Sequence, residues 1–300
     1  MRLYGLLTAV GAFPYSLWFR AFPGTIVLLY HRIGAVAVDP HNLAVSVENF
    51  DSQIAYLKQH TSIISVSELH QALQRGIVPK RSVVITFDDG YEDNYISAFP
   101  ILKKYGVPAT IFMTSNGDLD REIWIDELMQ AIDPSNREYQ ELFEQYKQLS
   151  TSERNSKLQE LFINKKTTPV VRNDYRRLNA DQLREMIASE LITIGGHTIS
   201  HNKLSVLTKG EQENEINGNA EFIFSLGKQP TVPFAYPFGS TNDFTDTTVA
   251  IVARHYPIAF SAYHGHVTTK TNCHRIPRFI AKDWNAVAFS RKLKQFFGFV

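Results

Sequence analysis

Short runs of apolar residues alternate with stretches whose apolar positions recur every three or four residues. That rhythm predicts strands alternating with amphipathic helices, the pattern of an α/β fold. TIVLLYH (Thr25 to His31) reads as a buried strand; ENFDSQIAYLKQH (Glu48 to His60) sets Phe50, Ile54 and Leu57 at helical spacing; SIIS (Ser62 to Ser65) reads as a brief strand. Ser67 is expected to cap the helix ELHQALQR, with Gly76 as its stop. Val83 to Phe87 forms the next strand, then a helix ends in ILKKYG at Gly106, and PATIFMT (Pro108 to Thr114) returns to strand. The cycle resumes late in the chain with a helix ending at Gly227, the strand TVPFAYP, a helix up to Tyr256 and the strand IAFSAY.

From about Asp118 to Asn179 the texture changes. NREYQELFEQYKQLSTSERNSKLQELFINKK is charged, helical in period and poor in strand formers, which predicts a helical insertion on a βα loop (residues 118–179). Asn179 is placed to cap ADQLREMIASE, which leads into the strand LITIGG. At the other end, Leu3 to Phe19 holds no charge for 17 residues and is bracketed by Arg2 and Arg20. That length lies at the short edge of a membrane span, and Pro14, two glycines and several polar residues weaken such a reading. Residues 1–24 are expected either to contact a membrane peripherally or to pack on a single catalytic domain spanning 25–300.

Composition removes several function classes. With 31 basic and 30 acidic residues and no basic stripe, nucleic acid is not an expected partner. The single cysteine, Cys273, excludes an internal disulfide framework and a Cys-rich zinc site. A content of 44% hydrophobic residues in 300 supports a sizeable core, and one barrel-sized domain is favoured over two smaller ones.

Two clusters then stand out for their chemistry. VVITFDDGYEDNY (Val83 to Tyr95) runs a core strand straight into Asp88 and Asp89, whose like charges repel and whose side chains point opposite ways if the strand persists. Two separate roles are implied, and a strand-terminating Asp-Asp-Gly turn is the competing explanation. GGHTISH (Gly195 to His201) sets His197 and His201 four apart, on one side if the stretch takes a helical turn, and neutral imidazole is a good zinc ligand. Both clusters directly follow predicted strands, so a parallel barrel or sheet brings them to one face.

TFDDG (Thr86 to Gly90), HTISH and FAYPFG (Phe234 to Gly239), in that order, resemble the three leading motifs of the polysaccharide deacetylases, also called carbohydrate esterase family four. The resemblance spans roughly Thr25 to Ala281 without the insertion. It implies a deformed (β/α) barrel, a divalent metal held by one Asp and two His, and hydrolysis of N-acetyl or sometimes O-acetyl groups on glycans. Carried over by position, Asp88 becomes the catalytic base and Asp89, His197 and His201 the metal ligands. The metal expected is Zn²⁺, with Co²⁺, Ni²⁺ or Mn²⁺ as alternatives. The backbone N–H of Phe238 becomes an oxyanion donor.

The departures sharpen the comparison. Many members of the family carry an arginine where this chain has Ala235, and neither the later Asp-rich motif with tryptophan nor a Leu-x-His motif is found. LLYHRIG (Leu28 to Gly34) instead resembles the branch that deacetylates poly-N-acetylglucosamine, in which the acid histidine comes from the first strand. His31 is therefore the candidate general acid. Arg278, in HRIPRF, is the candidate replacement for the missing arginine, while His264, His266 and His274 are competitors for the acid role. The expected activity is metal-dependent de-N-acetylation of an N-acetylated carbohydrate. Hydrolysis of an O-acetyl ester or another amide, or a non-catalytic glycan-binding role, stands as the alternative. A cytoplasmic or peripheral membrane location is favoured over export.

Overall fold

The structure is a computed structural model that describes residues 24–115, 119 and 121–297. Its strands are β1 (Thr25–Tyr30), β2 (Arg32–Ile33), β3 (Ala44–Val45), β4 (Ser62–Ile63), β5 (Ser82–Phe87), β6 (Ala109–Met113), β7 (Ile192–Gly196), β8 (Phe234–Ala235), β9 (Ala259–Phe260) and β10 (Phe279–Ile280). The main sheet runs β10-β1-β5-β6-β7-β8-β9, with β4 also paired to the start of β5, and every pairing is parallel. Past β9, Phe260 forms a parallel bridge with Ile276, so the segment leading into β10 lies beside β9 and the sheet curls back on itself. This is the deformed (β/α) barrel expected from the sequence.

The strand period of two decides what each residue faces. In β1 and β5, Ile26, Leu28, Tyr30, Val83, Ile85 and Phe87 pack outward against the helices. Val27 and Val84 turn inward, where with Phe112, Ala235 and Phe260 they plug the barrel. Extending the inward parity past the strand ends selects His31 after β1 and Asp88 after β5. Both faces are covered, which is why these strands read as unbroken apolar runs rather than alternating ones.

Helix boundaries follow their caps. Ser65, not Ser67 as expected, caps the helix Val66–Gln74: its hydroxyl accepts the Glu68 N–H at 3.1 Å while the Glu68 carboxylate returns to the Ser65 N–H at 2.7 Å, a reciprocal pair that only this register satisfies. Asn179 and Gln182 form the same device ahead of Ala180–Ala188. β8 is shorter than the expected TVPFAYP because Pro233 and Pro237 bring no backbone donor to the ladder.

Between β6 and Ala180–Ala188 lie the helices Trp124–Ala131, Arg137–Lys147 and Thr151–Asn164, which build a second core from Trp124, Leu128, Tyr139, Phe143, Leu158 and Tyr175. The apolar expectation for residues 1–24 falls almost wholly outside the described residues. Among those described, no helix is long and apolar enough to cross a membrane.

Candidate metal centre and catalytic carboxylates

The motifs meet at the carboxyl ends of β1, β5, β7 and β8. β5 stops at Phe87, and the chain turns with Asp89 at φ 74° and Gly90 at φ 75°. The strand therefore does not persist through the acidic pair, and both carboxylates approach the same imidazole instead of pointing opposite ways. Asp88 Oδ2 lies 3.9 Å, and Asp89 Oδ1 3.6 Å, from His197 Nε2. Gly90 suits this turn on two counts: its left-handed backbone, and the position of Met113 Sδ where a Cβ would stand.

His197 and His201 do share a side, though not through a helical turn. The segment bends with Thr198 at φ 67° and His201 at φ 53°. His201 Nε2 comes to 3.2 Å from Asp89 Oδ1, and the two imidazoles lie 5.0 Å apart between ring centres. Asp89, Thr198, His201 and Phe238 are all non-glycine residues at positive φ, a concentration of backbone strain of the kind that surrounding structure sustains at functional sites.

The ligand atoms of Asp89, His197 and His201 all lie within 4.8 Å of one another, and all three residues are buried. Asp89 Oδ1 is buried without a hydrogen bond although two ring nitrogens face it. Bonds of about 2.0–2.1 Å at a tetrahedral metal would separate ligand atoms by about 3.3 Å. The observed 3.2 and 3.6 Å bracket that value. One carboxylate oxygen and two imidazoles form a donor set suited to zinc and its neighbours, so the residues fit a divalent metal ion. His197 is oriented from behind, its Nδ1 2.7 Å from the Ala235 carbonyl. Gly196 lets Asn219 and Tyr256 approach the backbone closely, and Asn219 Oδ1 accepts the His197 N–H at 3.0 Å.

Asp88 is gripped from inside the barrel. Arg278, fully buried, donates from Nη1 and Nη2 to the two carboxylate oxygens at 2.7 Å each, and from Nε to the Ser261 carbonyl at 2.7 Å. Burial alone would raise the Asp88 pKa, but the Arg278 charge and hydrogen bonds, with the nearby imidazoles of His197 and His31, bring it below the ordinary carboxylate range. Asp89 is lower still: burial is again opposed, here chiefly by His197 and His201. Both carboxyl groups are therefore ionised at neutral pH.

His31 sits in the same electrostatic environment, coupled to Asp89, Asp88, Arg278 and His197. Burial pushes its pKa down and the two carboxylates only partly restore it. Its backbone is pinned by Asn94, whose amide donates to the His31 carbonyl at 2.9 Å, while its Nδ1 is buried without a partner among the described residues. Phe238 follows β8 with its ring 4.8 Å from that of His201, and its N–H meets no acceptor among the described residues. The three competing histidines lie elsewhere: His264 and His266 against Phe279, His274 with Nε2 on the Tyr256 carbonyl.

A cavity of about 60 Å³ borders Asp89 and is lined by His41, Tyr91, Asp126, Met129 and Tyr175. Larger clefts, of about 560 Å³ in the insertion and 710 Å³ at the opposite end of β7, contain none of the convergent groups. Sequence reasoning missed Asn219, Trp124, Arg154 and Arg177. Arg177 donates to the Asp89 carbonyl and, at 2.7 Å, to that of Thr114, steadying the strained turn. No local spacing marks these residues, since each acts on backbone groups far away in sequence.

This chain has relatives among known proteins. Poly-beta-1,6-N-acetyl-D-glucosamine N-deacetylase of Staphylococcus aureus (strain MSSA476) is 29% identical over 267 residues, covering 86% of this chain and 73% of its own. Putative polysaccharide deacetylase YxkH of Bacillus subtilis (strain 168) is 27% identical over 221 residues, 73% of this chain and 58% of its own. Two solved structures share the fold. Streptococcus pyogenes deacetylase PplD in complex with acetate aligns at a TM-score of 0.65 and 21% identity over 92% of this chain and 99% of its own. IcaB from Ammonifex degensii aligns at 0.62 and 19% identity over 92% and 97%. The family model for polysaccharide deacetylase matches residues 75–256, well over half of the sequence, and the chain belongs to that family.

Proposed function

We propose that this protein is a metal-dependent hydrolase that removes N-acetyl groups from an N-acetylglucosamine-containing polysaccharide, with Zn²⁺ as the metal. The observation that carries this reading is the meeting of Asp89, His197 and His201 beside a second carboxylate, Asp88, that a buried arginine keeps ionised and oriented. The 29% identity to an enzyme named for poly-β-1,6-N-acetyl-D-glucosamine supports that class of substrate.

Asp89, His197 and His201 would hold the ion, which supplies Lewis acidity: polarisation of the acetyl carbonyl and a lowered pKa for water. The chain's own groups supply the proton transfers. Asp88 is the general base that takes a proton from the attacking water, and Arg278 fixes which lone pairs it presents. The Phe238 N–H donates to the oxygen on which negative charge develops. His31 acts in its protonated form, the minor one near neutral pH given its lowered pKa, and gives a proton to the nitrogen as the C–N bond breaks, leaving acetate and a free amine.

The experiment is acetate release from N-acetylglucosamine oligomers before and after chelation, with an O-acetylated glycan alongside. Amide hydrolysis should vanish on chelation and return with Zn²⁺ or Co²⁺. Activity indifferent to chelation, or confined to the ester, would overturn the assignment.

A further inference from the structure

The two histidines of the metal centre are held in different ways. His197 is fixed by the barrel: its ring by the Ala235 carbonyl, its N–H by Asn219 and the Met113 carbonyl. His201 has no such anchor for its ring. Its Nδ1 is buried and unpartnered among the described residues, so nothing polar behind the imidazole sets its orientation. Its backbone sits at φ 53°, a conformation that neighbours must sustain.

The N–H groups of His201 and Ser200 are held by Thr198 Oγ1 at 3.0 Å and Glu215 at 2.9 Å, and the carbonyls of the same stretch are held from the helical insertion. The Trp124 indole N–H donates to the His201 carbonyl at 3.1 Å. Arg154 Nη2 donates to the Ser200 carbonyl at 3.0 Å, and its Nη1 donates to Asn202 Oδ1. The three residues from 200 to 202 are thus each gripped from the insertion. Arg154 is buried and no carboxylate lies within ion-pair distance of it among the described residues; its guanidinium lies 5.0 Å from the Trp124 ring centre. Burying an unpaired guanidinium is unfavourable, so its bonds to this loop are the compensation the site offers. Thr151, at the start of the same helix, adds contacts of 3.0 Å to the Ser200 hydroxyl and to Glu215.

We infer that the helical insertion is the positioning scaffold of His201, with Trp124 and Arg154 setting metal affinity by locking the backbone on either side of that histidine. This rests on the assignment of His201 as a metal ligand. Trp124 and Arg154 are buried and act through the backbone around His201, so they are positioning residues. On this account the insertion cannot be trimmed to a short loop without loosening the centre, although it lies outside the barrel.

Trp124→Phe is the decisive variant, because it keeps an aromatic ring against Phe143 and removes only the indole donor and part of the ring. Zn²⁺ affinity, measured by chelator competition well below the melting temperature, should fall about 10- to 100-fold, with kcat reduced and KM unchanged. Arg154→Lys, which keeps the charge but cannot span two acceptors, should move affinity the same way and decides the matter if Trp124→Phe does not fold. The Co²⁺-loaded variants should also show an altered absorption spectrum. Arg137→Ala, on an exposed part of the insertion, should match wild type. Wild-type affinity in both Trp124→Phe and Arg154→Lys would overturn the inference while leaving the proposed function standing. A wild-type protein that takes up no metal would instead remove the proposed function itself.

Discussion

Replacing Arg278 with methionine isolates the grip on the base. The side chain is fully buried and gives Asp88 two hydrogen bonds of 2.7 Å, with a third of 2.7 Å to Ser261 and a longer contact of 3.3 Å to Thr86. Methionine fills most of the volume but leaves Asp88 a buried carboxylate without its cation. Breaking a buried pair from one side costs about 3–5 kcal/mol, and that is the expected loss of unfolding free energy at pH 7. The pH dependence follows from the sign of the shift. Asp88 is depressed in the folded protein, so its contribution is present above the unfolded carboxylate pKa of about 3.9 and is lost as pH falls through the lower folded value. In the variant the burial that raises the Asp88 pKa loses its main opponent. The gap between wild type and variant should therefore widen from pH 4 to pH 7. Urea unfolding across that range measures it, with Asp88→Asn and the double variant closing a cycle. Turnover should drop about 10²- to 10⁴-fold, since a protonated or rotated Asp88 cannot accept the proton. A stability gap that is constant with pH would mean that Arg278 acts through packing alone.

Asp89→Asn should lose metal affinity and turnover together, whereas Asp88→Asn should retain the metal and lose about 10²- to 10⁴-fold in rate; equal metal loss in both would show the pair to be misassigned. His31→Ala should keep metal content and fold, slow amide hydrolysis strongly and spare an activated aryl ester, whose leaving group departs without a proton; equal losses on amide and ester would make His31 structural. Gly90→Ala should destabilise by about 1–3 kcal/mol, read as a shift in the urea midpoint, because its φ of 75° and the sulfur of Met113 both oppose a Cβ. A midpoint matching wild type would mean that the turn relaxes freely.

The features legible in the sequence were those with a local physical cause. Buried parallel strands announce themselves as apolar runs, Asn179 marks a helix start through a side-chain oxygen that accepts from the Asp181 and Gln182 N–H groups, and Gly106 marks a helix end through its left-handed backbone. The Asp pair and the spaced histidines are legible as a candidate site because residue type limits what can bind, and the structure brings all four side chains together. What stayed hidden depends on contacts across the barrel. Arg177 stands 88 residues from the Asp89 carbonyl it holds and Arg154 stands 48 from Asn202, and no spacing rule reaches that far; Arg278, 190 residues from Asp88, is reached only through the family resemblance. The four-residue spacing of His197 and His201 puts them on one side if the stretch is a helical turn, yet their relation is built from left-handed residues whose non-glycine side chains give no warning. Ser65 and Ser67 offer the same hydroxyl, and only the return bond from Glu68 decides between them.

The pairing of β10 with β1 sets an order of assembly. All three proposed metal ligands have been synthesised once residue 201 is made, but the guanidinium that holds Asp88 arrives only at residue 278, just ahead of Phe279 and Ile280, which cover β1. Until then β1 lacks one neighbour, an open strand edge of the kind that recruits other chains. A nascent or C-terminally clipped protein would have the means to capture a metal ion before it has a positioned base. The seam that closes the barrel and the guanidinium that holds Asp88 are thus made together, within residues 278–280, so one short segment completes both the sheet and the ion pair.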